Sequence, residues 1–146
     1  MIAPLRPERP NRLERMAAAL VRGTVAVPGL RRVLLWPVLA IPGYGLATAC
    51  AFLWGTVLLG RHSRSHGLHI ISRLPRWAFG RGGTTIGAVY LTRDNISDPV
   101  LAHEAVHRMQ WRRYGLSLPV LYLAAGHVAL TNRFEVEAGL ERGGYR

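Results

Sequence analysis

A chain of 146 residues has the mass for one domain with a real core and at most an appendage. Its 19 basic side chains are all arginine against 8 carboxylates, a net charge of +11, and its single cysteine excludes an internal disulfide and any cysteine-built cluster. Residues 1–81 hold 12 Arg against Glu8 and Glu14 while residues 82–146 hold 7 against 6 carboxylates, so the excess is at the front, where a long apolar run and the lack of any base-reading motif favour an anionic membrane surface and make nucleic acid an unlikely partner.

Met1 to Pro10 places three prolines among arginines, a composition expected to be disordered. Asn11 then reads as an N-cap and Glu14 completes a capping box. Leu13, Met16, Ala17, Leu20 and Val21 recur at helical spacing, with Arg12, Arg15 and Arg22 beside them. This predicts a short basic amphipathic helix ended by Gly23, lying on a membrane or on the domain; residues 1–32 are read as a basic arm.

Val33 to Gly60 is 28 residues without a charge. Its length suits a membrane segment, but Pro37 and the run Pro42-Gly43-Tyr44-Gly45 interrupt it, and arginines flank both ends. A turn at Pro42 to Gly45 would make residues 33–60 a re-entrant hairpin or a buried helix pair; without it they form one tilted span. Cys50, inside this run, is expected to be a buried thiol.

Residues 61–146 form the remaining unit. His62, His66 and His69 alternate with arginines around Gly67 and read as an exposed polar loop, followed by a short strand from Leu68 to Ser72. Thr84 to Thr92 is rich in β-branched residues and predicts a strand, with Gly87 as a bulge or close-approach point. Such a strand is either a core strand or an edge able to pair with extended peptide.

Ser97 and Asp98 before Pro99, and Gly115 after Tyr114, bound a helix over Pro99 to Tyr114. It carries LAHEAVHRMQW, with His103, Glu104 and His107 in HExxH order. The two histidines lie ~40° apart and ~6 Å along the axis, so both can close on one metal, whereas Glu104 is ~100° round from His103 and suits a general base better than a ligand. Val100, Gln110, Trp111 and Tyr114 share the metal face, which therefore looks inward; Arg108, Arg112 and Arg113 lie opposite with Leu101, Ala105 and Met109.

Gly115 to Thr131 predicts a core helix starting at Ser117-Leu118-Pro119 and packed on the metal helix; His127 within it is either a hydrogen-bonded core residue or an auxiliary group at the reaction centre. Asn132 opens a last helix, expected to run to Gly143-Gly144. Glu135 and Glu137 are ~200° apart on it, so only one can face the metal. Glu135, beside Ala138 and Gly139, is the expected third ligand, with a capping-box role as its alternative. Glu137 is expected on a solvated stripe with Glu141.

HEAVH followed by RFEVEA resembles the gluzincin clan of zinc metallopeptidases, especially minimal forms in which the HExxH helix and an ExxA-type ligand helix are nearly the whole catalytic core. RFEVEA also looks like the ligand helix of the membrane-embedded CAAX-processing and heat-shock-type metallopeptidases. The likeness covers about residues 80 to 142, and RGGTTIGAVYLTRD, HEAVHRMQWRRYG and NRFEVEAGLERGGY also resemble a group of small proteins from high-GC bacteria, to which no function attaches. The resemblance implies Zn2+ held by His103, His107 and Glu135, with Glu104 as the catalytic base and a peptide or protein as substrate. One position departs: Gly139 stands where those peptidases usually carry an Asp that orients a ligating histidine.

The expected fold is α+β and mainly helical: the HExxH helix packed on a downstream ligand helix, with a small β hairpin or edge strand, preceded by an apolar helical hairpin or transmembrane segment. The expected function is zinc-dependent, metallopeptidase-like hydrolysis with metal-bound water activated by Glu104, and an oxyanion partner among Tyr114, His127 or Arg133. The alternatives are a non-catalytic, zinc-stabilised membrane-associated or interaction module and a basic surface binder. The location expected is membrane-associated, otherwise cytoplasmic.

Overall fold

The computed structural model describes residues 10–80 and 82–145, so the disorder expected of Met1 to Pro10 lies, but for Pro10, outside the described residues. The fold is α+β. Helix α1, Arg12–Ala26, starts with the expected capping box: the Asn11 side chain accepts from the Glu14 N–H at 2.9 Å, and Glu14 accepts from the Asn11 N–H at 2.8 Å. The helix continues past Gly23 because nothing there requires a left-handed residue. Glu14 and Ala17 are the side it buries, whereas Leu13, Met16 and Leu20 of the anticipated apolar stripe face outward.

A short helix α2, Leu30–Leu34, leads into α3, Pro37–Val57, a single helix of 21 residues. No turn forms at Pro42 to Gly45, which corrects the hairpin alternative. Pro37 occupies the first turn, where a missing N–H costs nothing, and Pro42 is carried inside the helix. Packing explains why the helix persists: Ala40, Gly43, Ala47, Ala51 and Gly55 make one small-residue stripe, buried against the domain. A side chain on Gly55 would meet Ile71 Cδ1 at 2.6 Å. The larger apolar residues Val38, Leu39, Ile41, Leu46, Leu53, Trp54 and Val57 are exposed, and Cys50, expected to be buried, is exposed with them. By length and composition α3 can cross a membrane.

Strands β1, Arg61–Ser65, and β2, Leu68–Ser72, form an antiparallel hairpin where a polar loop was expected around His62 and His66. Its two-residue turn, His66-Gly67, has φ of 51° and 74°, the double left-handed conformation whose twist matches the flanking strands. The predicted strand over Thr84 to Thr92 is instead two strands, β3, Gly83–Ile86, and β4, Val89–Thr92, joined at Gly87-Ala88. Gly87 is a close-approach point: its φ is +62° and a Cβ there would lie 2.3 Å from Thr48 Oγ1 of α3. The sheet order is β1-β2-β4-β3, with β2 and β4 parallel.

Alternation along the strands buries both sheet faces. Ile71, Val89 and Leu91 pack with Ala51 of α3 and with Leu74, while Leu68, Ile70 and Tyr90 pack with Val100 and Leu101 of α4, Asp98–Tyr114. Leu101 is therefore core, contrary to its expected place on the solvated side, because α4 is buried over a wider arc than one face. The third cluster joins Ala47, Trp111, Leu118 and Phe134. Beyond α4 the helix expected over Gly115 to Thr131 is short: a 3₁₀ turn, Gly115–Ser117, then α5, Leu118–Ala124. The last helix, α6, Arg133–Ala138, ends at Gly139 with φ +91°, well before Gly143-Gly144.

Candidate metal centre

Helix α4 presents His103 and His107 one turn apart, and α6 brings Glu135 to them. Asn132, fully buried, fixes that meeting. Its side chain accepts from the Phe134 N–H at 3.0 Å and donates to the Tyr122 and Gly126 carbonyls, so the start of α6 is tied to the end of α5. Glu135 is thus free of the capping role that its N3 position offered. His103 Nε2 and His107 Nε2 are 3.1 Å apart, Glu135 Oε2 is 3.2 Å from the first, and Oε1 is 3.4 Å from the second. A tetrahedral ion with ~2.0–2.1 Å bonds has ligand–ligand edges of ~3.3–3.4 Å, so these separations fit one ion bound by three donors.

Proton assignment gives an independent test of that fit. His103 Nδ1 lies 3.1 Å from the Gly139 carbonyl, which can only accept. His107 Nδ1 lies 2.8 Å from Gln110 Oε1, and the Gln110 amide is oriented by Nε2 donating at 3.0 Å to the Phe134 carbonyl and to Glu137 Oε2. Both histidines therefore carry hydrogen on Nδ1, and in their neutral forms both Nε2 atoms turn bare lone pairs towards each other and a carboxylate. Glu135 Oε2 is buried and lacks any hydrogen bond. A cation bound there would satisfy all three together. The side chains of His103, His107 and Glu135 could hold a metal ion, and they are the one such cluster among the described residues.

The electrostatics agree. Burial pushes Glu135 up, but the close approach of the His103 and His107 imidazoles and of the Tyr122 hydroxyl holds it well below the ordinary carboxylate range. Burial lowers His107, yet Glu135 and Gln110 more than reverse it, so the imidazole gains affinity for positive charge. Glu104 is different: burial is the leading influence and pushes its carboxyl up, opposed by the hydrogen bond from Thr85 Oγ1 to Oε2 at 2.8 Å.

His103, Glu104, His107 and Glu135 line a cleft of about 490 Å³, with β3 and Trp111 on its walls. Trp111 Nε1 donates to the Thr85 carbonyl at 2.7 Å, pinning β3 to α4. Tyr122 and Tyr145 also line the cleft; Tyr122 donates to Glu135 Oε1, and the Tyr145 ring lies tilted beside His103 with ring centroids 6.0 Å apart. Burial and nearby carboxylates push Tyr145 up to about 12, and the same influences raise Tyr122. Both phenols keep their protons at neutral pH.

Three anticipated auxiliaries lie elsewhere. Tyr114 packs edge-on against Phe134, His127 contacts Glu14 of α1, and Arg133 lies over the Phe134 ring; none lines the cleft. Glu137 is exposed and is linked to the centre through Gln110. Gly139 supplies with its carbonyl the support to His103 that a side chain was expected to give, and Gln110 gives the same support to His107. Gln110 was legible as a metal-face residue three places after His107; Tyr122 and Tyr145 carry no sequence signal. No family model, curated protein or solved structure matches the chain.

Proposed function

We propose that the chain is a zinc-dependent, peptidase-like hydrolase working against a membrane surface. The observation that carries this reading is the buried, upward-shifted Glu104 beside a three-donor cluster in an open cleft. Two imidazoles and one carboxylate in tetrahedral spacing suit zinc, and the three donors leave a fourth position for chemistry, unlike a closed structural site. Zinc bound there would polarise a carbonyl and make water more acidic.

The chain's own groups supply the rest. Glu104 accepts a proton from the attacking water as the C–O bond forms, then passes it to the departing amine as C–N breaks. A raised pKa improves both steps near neutral pH. Thr85 holds one Glu104 oxygen and leaves the other for that transfer. Tyr145, a protonated phenol on the cleft wall beside Glu135, is the donor we assign to the developing oxyanion. Among the described residues β3 pairs only with β4, and it lines the cleft, so an extended peptide can add along its outer edge with little demand on side chains.

The membrane reading rests on α3 and α1. Large apolar residues cover the outer face of α3, and Leu13, Met16 and Leu20 do the same on α1, where Arg12, Arg15 and Arg22 are exposed. We infer an in-plane helix rather than a crossing one: the domain covers the α3 stripe from Ala40 to Gly55, and a perpendicular span would draw the exposed arginines of β1 into hydrocarbon.

The test compares the zinc-loaded parent with Glu104→Gln on casein and a peptide library. Cleavage by the parent, lost with full metal content in Glu104→Gln, is the expected result. A metal-loaded parent inert on every substrate tried against membranes and in solution points to a structural centre instead.

A further inference from the structure

A second cavity, of about 850 Å³, lies between α1 and the junction of α4 with α5, and shares no lining residue with the metal cleft. Leu20 and Val21 form one wall and Leu116, Val120 and Leu121 the other. Arg113 and Arg133 also line it. The two guanidiniums are held by aromatic rings: Arg113 lies 5.3 Å from the Tyr114 centroid, Arg133 lies 4.5 Å from that of Phe134, and the two rings meet edge to face at 5.8 Å. Among the described residues neither guanidinium has a carboxylate within ion-pair distance, in a chain whose net charge is already +11.

We propose that this groove takes one acyl chain of an anionic phospholipid, with Arg113 and Arg133 binding the phosphate. The apolar walls suit a hydrocarbon chain, and two preoriented guanidiniums suit phosphate oxygens. Leu20 belongs both to the groove wall and to the exposed stripe of α1, so the groove opens onto the apolar surface assigned above to the bilayer. A chain can therefore enter from the membrane side without crossing water. The site is separate from the metal centre and shares with the hydrolase reading only the membrane setting.

The experiment titrates the purified full chain in detergent with short-chain phosphatidylglycerol, phosphatidylcholine of the same chain length, and glycerol phosphate, using native mass spectrometry and calorimetry. Saturable one-to-one binding of phosphatidylglycerol is expected, about tenfold tighter than phosphatidylcholine, with no binding of glycerol phosphate. The double variant Arg113→Gln/Arg133→Gln should lose about tenfold or more in affinity, two charge-assisted contacts being removed. Val120→Trp, which fills the groove, should lose binding with both arginines present. Equal affinity for the two lipids overturns the proposal, as does unchanged binding in the double variant, equally tight glycerol phosphate, or a lipid-independent dimer that the double variant abolishes. Metal content is measured on every sample, so loss of lipid binding with the metal retained is distinguishable from failure of the cleft. If a variant loses both, the ranking of the three ligands on the parent still decides.

Discussion

Glu104 and Glu135 lie in one buried cluster, yet their surroundings drive their acidities in opposite directions. Glu135 accepts from the Tyr122 hydroxyl, faces the two imidazoles and stays ionised; Glu104 has the Thr85 hydroxyl and is raised mainly by burial. That division assigns Glu135 to ligation and Glu104 to proton transfer. Glu104→Gln should keep its metal and lose ~10²-fold or more in hydrolysis, read by metal analysis and initial rates together. Gln110 is a positioning residue: it fixes the His107 ring and is itself fixed by Phe134 and Glu137. Gln110→Ala should weaken metal affinity ~10–100-fold by competition with a chelator and, because the Phe134 carbonyl loses a buried donor, lower thermal stability as well. The histidines were legible because helical spacing places them together, and Glu135 because spacing allows only one of Glu135 and Glu137 to face them and Glu135 shares its side with the small residues Ala138 and Gly139. Tyr122 and Tyr145 were not, since the cleft reaches them through chain reversals that no local pattern encodes. The Gly139 departure was misleading for a related reason: a backbone carbonyl can orient an imidazole, and carbonyls leave no trace in the alphabet.

At the scale of elements, packing overrode local punctuation. Pro42-Gly43-Tyr44-Gly45 reads as a turn, yet the glycine and alanine stripe lets α3 lie close against the sheet, and burial there outweighs the cost of an internal proline. In the two hairpins the glycines mark real turns. At His66-Gly67 the polar alternation concealed β1, because its residues are exposed and pair with a buried strand. Gly87 faces both a positive φ and the Thr48 backbone, so Gly87→Val should destabilise the fold by ~2 kcal/mol or more in chemical denaturation. Helix α1 offers a pH test. Burial raises Glu14, but the Asn11 N–H and His127 lower it further, so its folded pKa lies below the ordinary 4.5. Its stabilisation is fully present above 4.5 and disappears as pH falls through the lower folded value. Thermal unfolding between pH 6 and pH 3 should accordingly show a smaller acid-induced loss in Glu14→Gln than in the parent.

For the whole molecule, an apolar exterior and the cleft that carries the metal-binding cluster share a small fold, and α3 turns small residues inward against the sheet and large ones outward. The charge asymmetry was legible and points the same way, since the arginine-rich half carries that apolar exterior. The outward direction of the α1 stripe was not, because its periodicity is equally compatible with packing on the domain. Liposome flotation should recover the parent with phosphatidylglycerol vesicles, less so in high salt, and Leu53→Ser/Val57→Ser on α3 should reduce recovery several-fold without loss of fold, as both side chains are exposed. All of this is arranged around three donors meeting at one point. Metal analysis of the purified chain, of His103→Ala and of Glu135→Ala is the most direct examination of that meeting. The account predicts one zinc per parent chain and near-complete loss in each variant; a parent that binds no metal, or a Glu135→Ala chain that keeps its zinc as tightly, would contradict it.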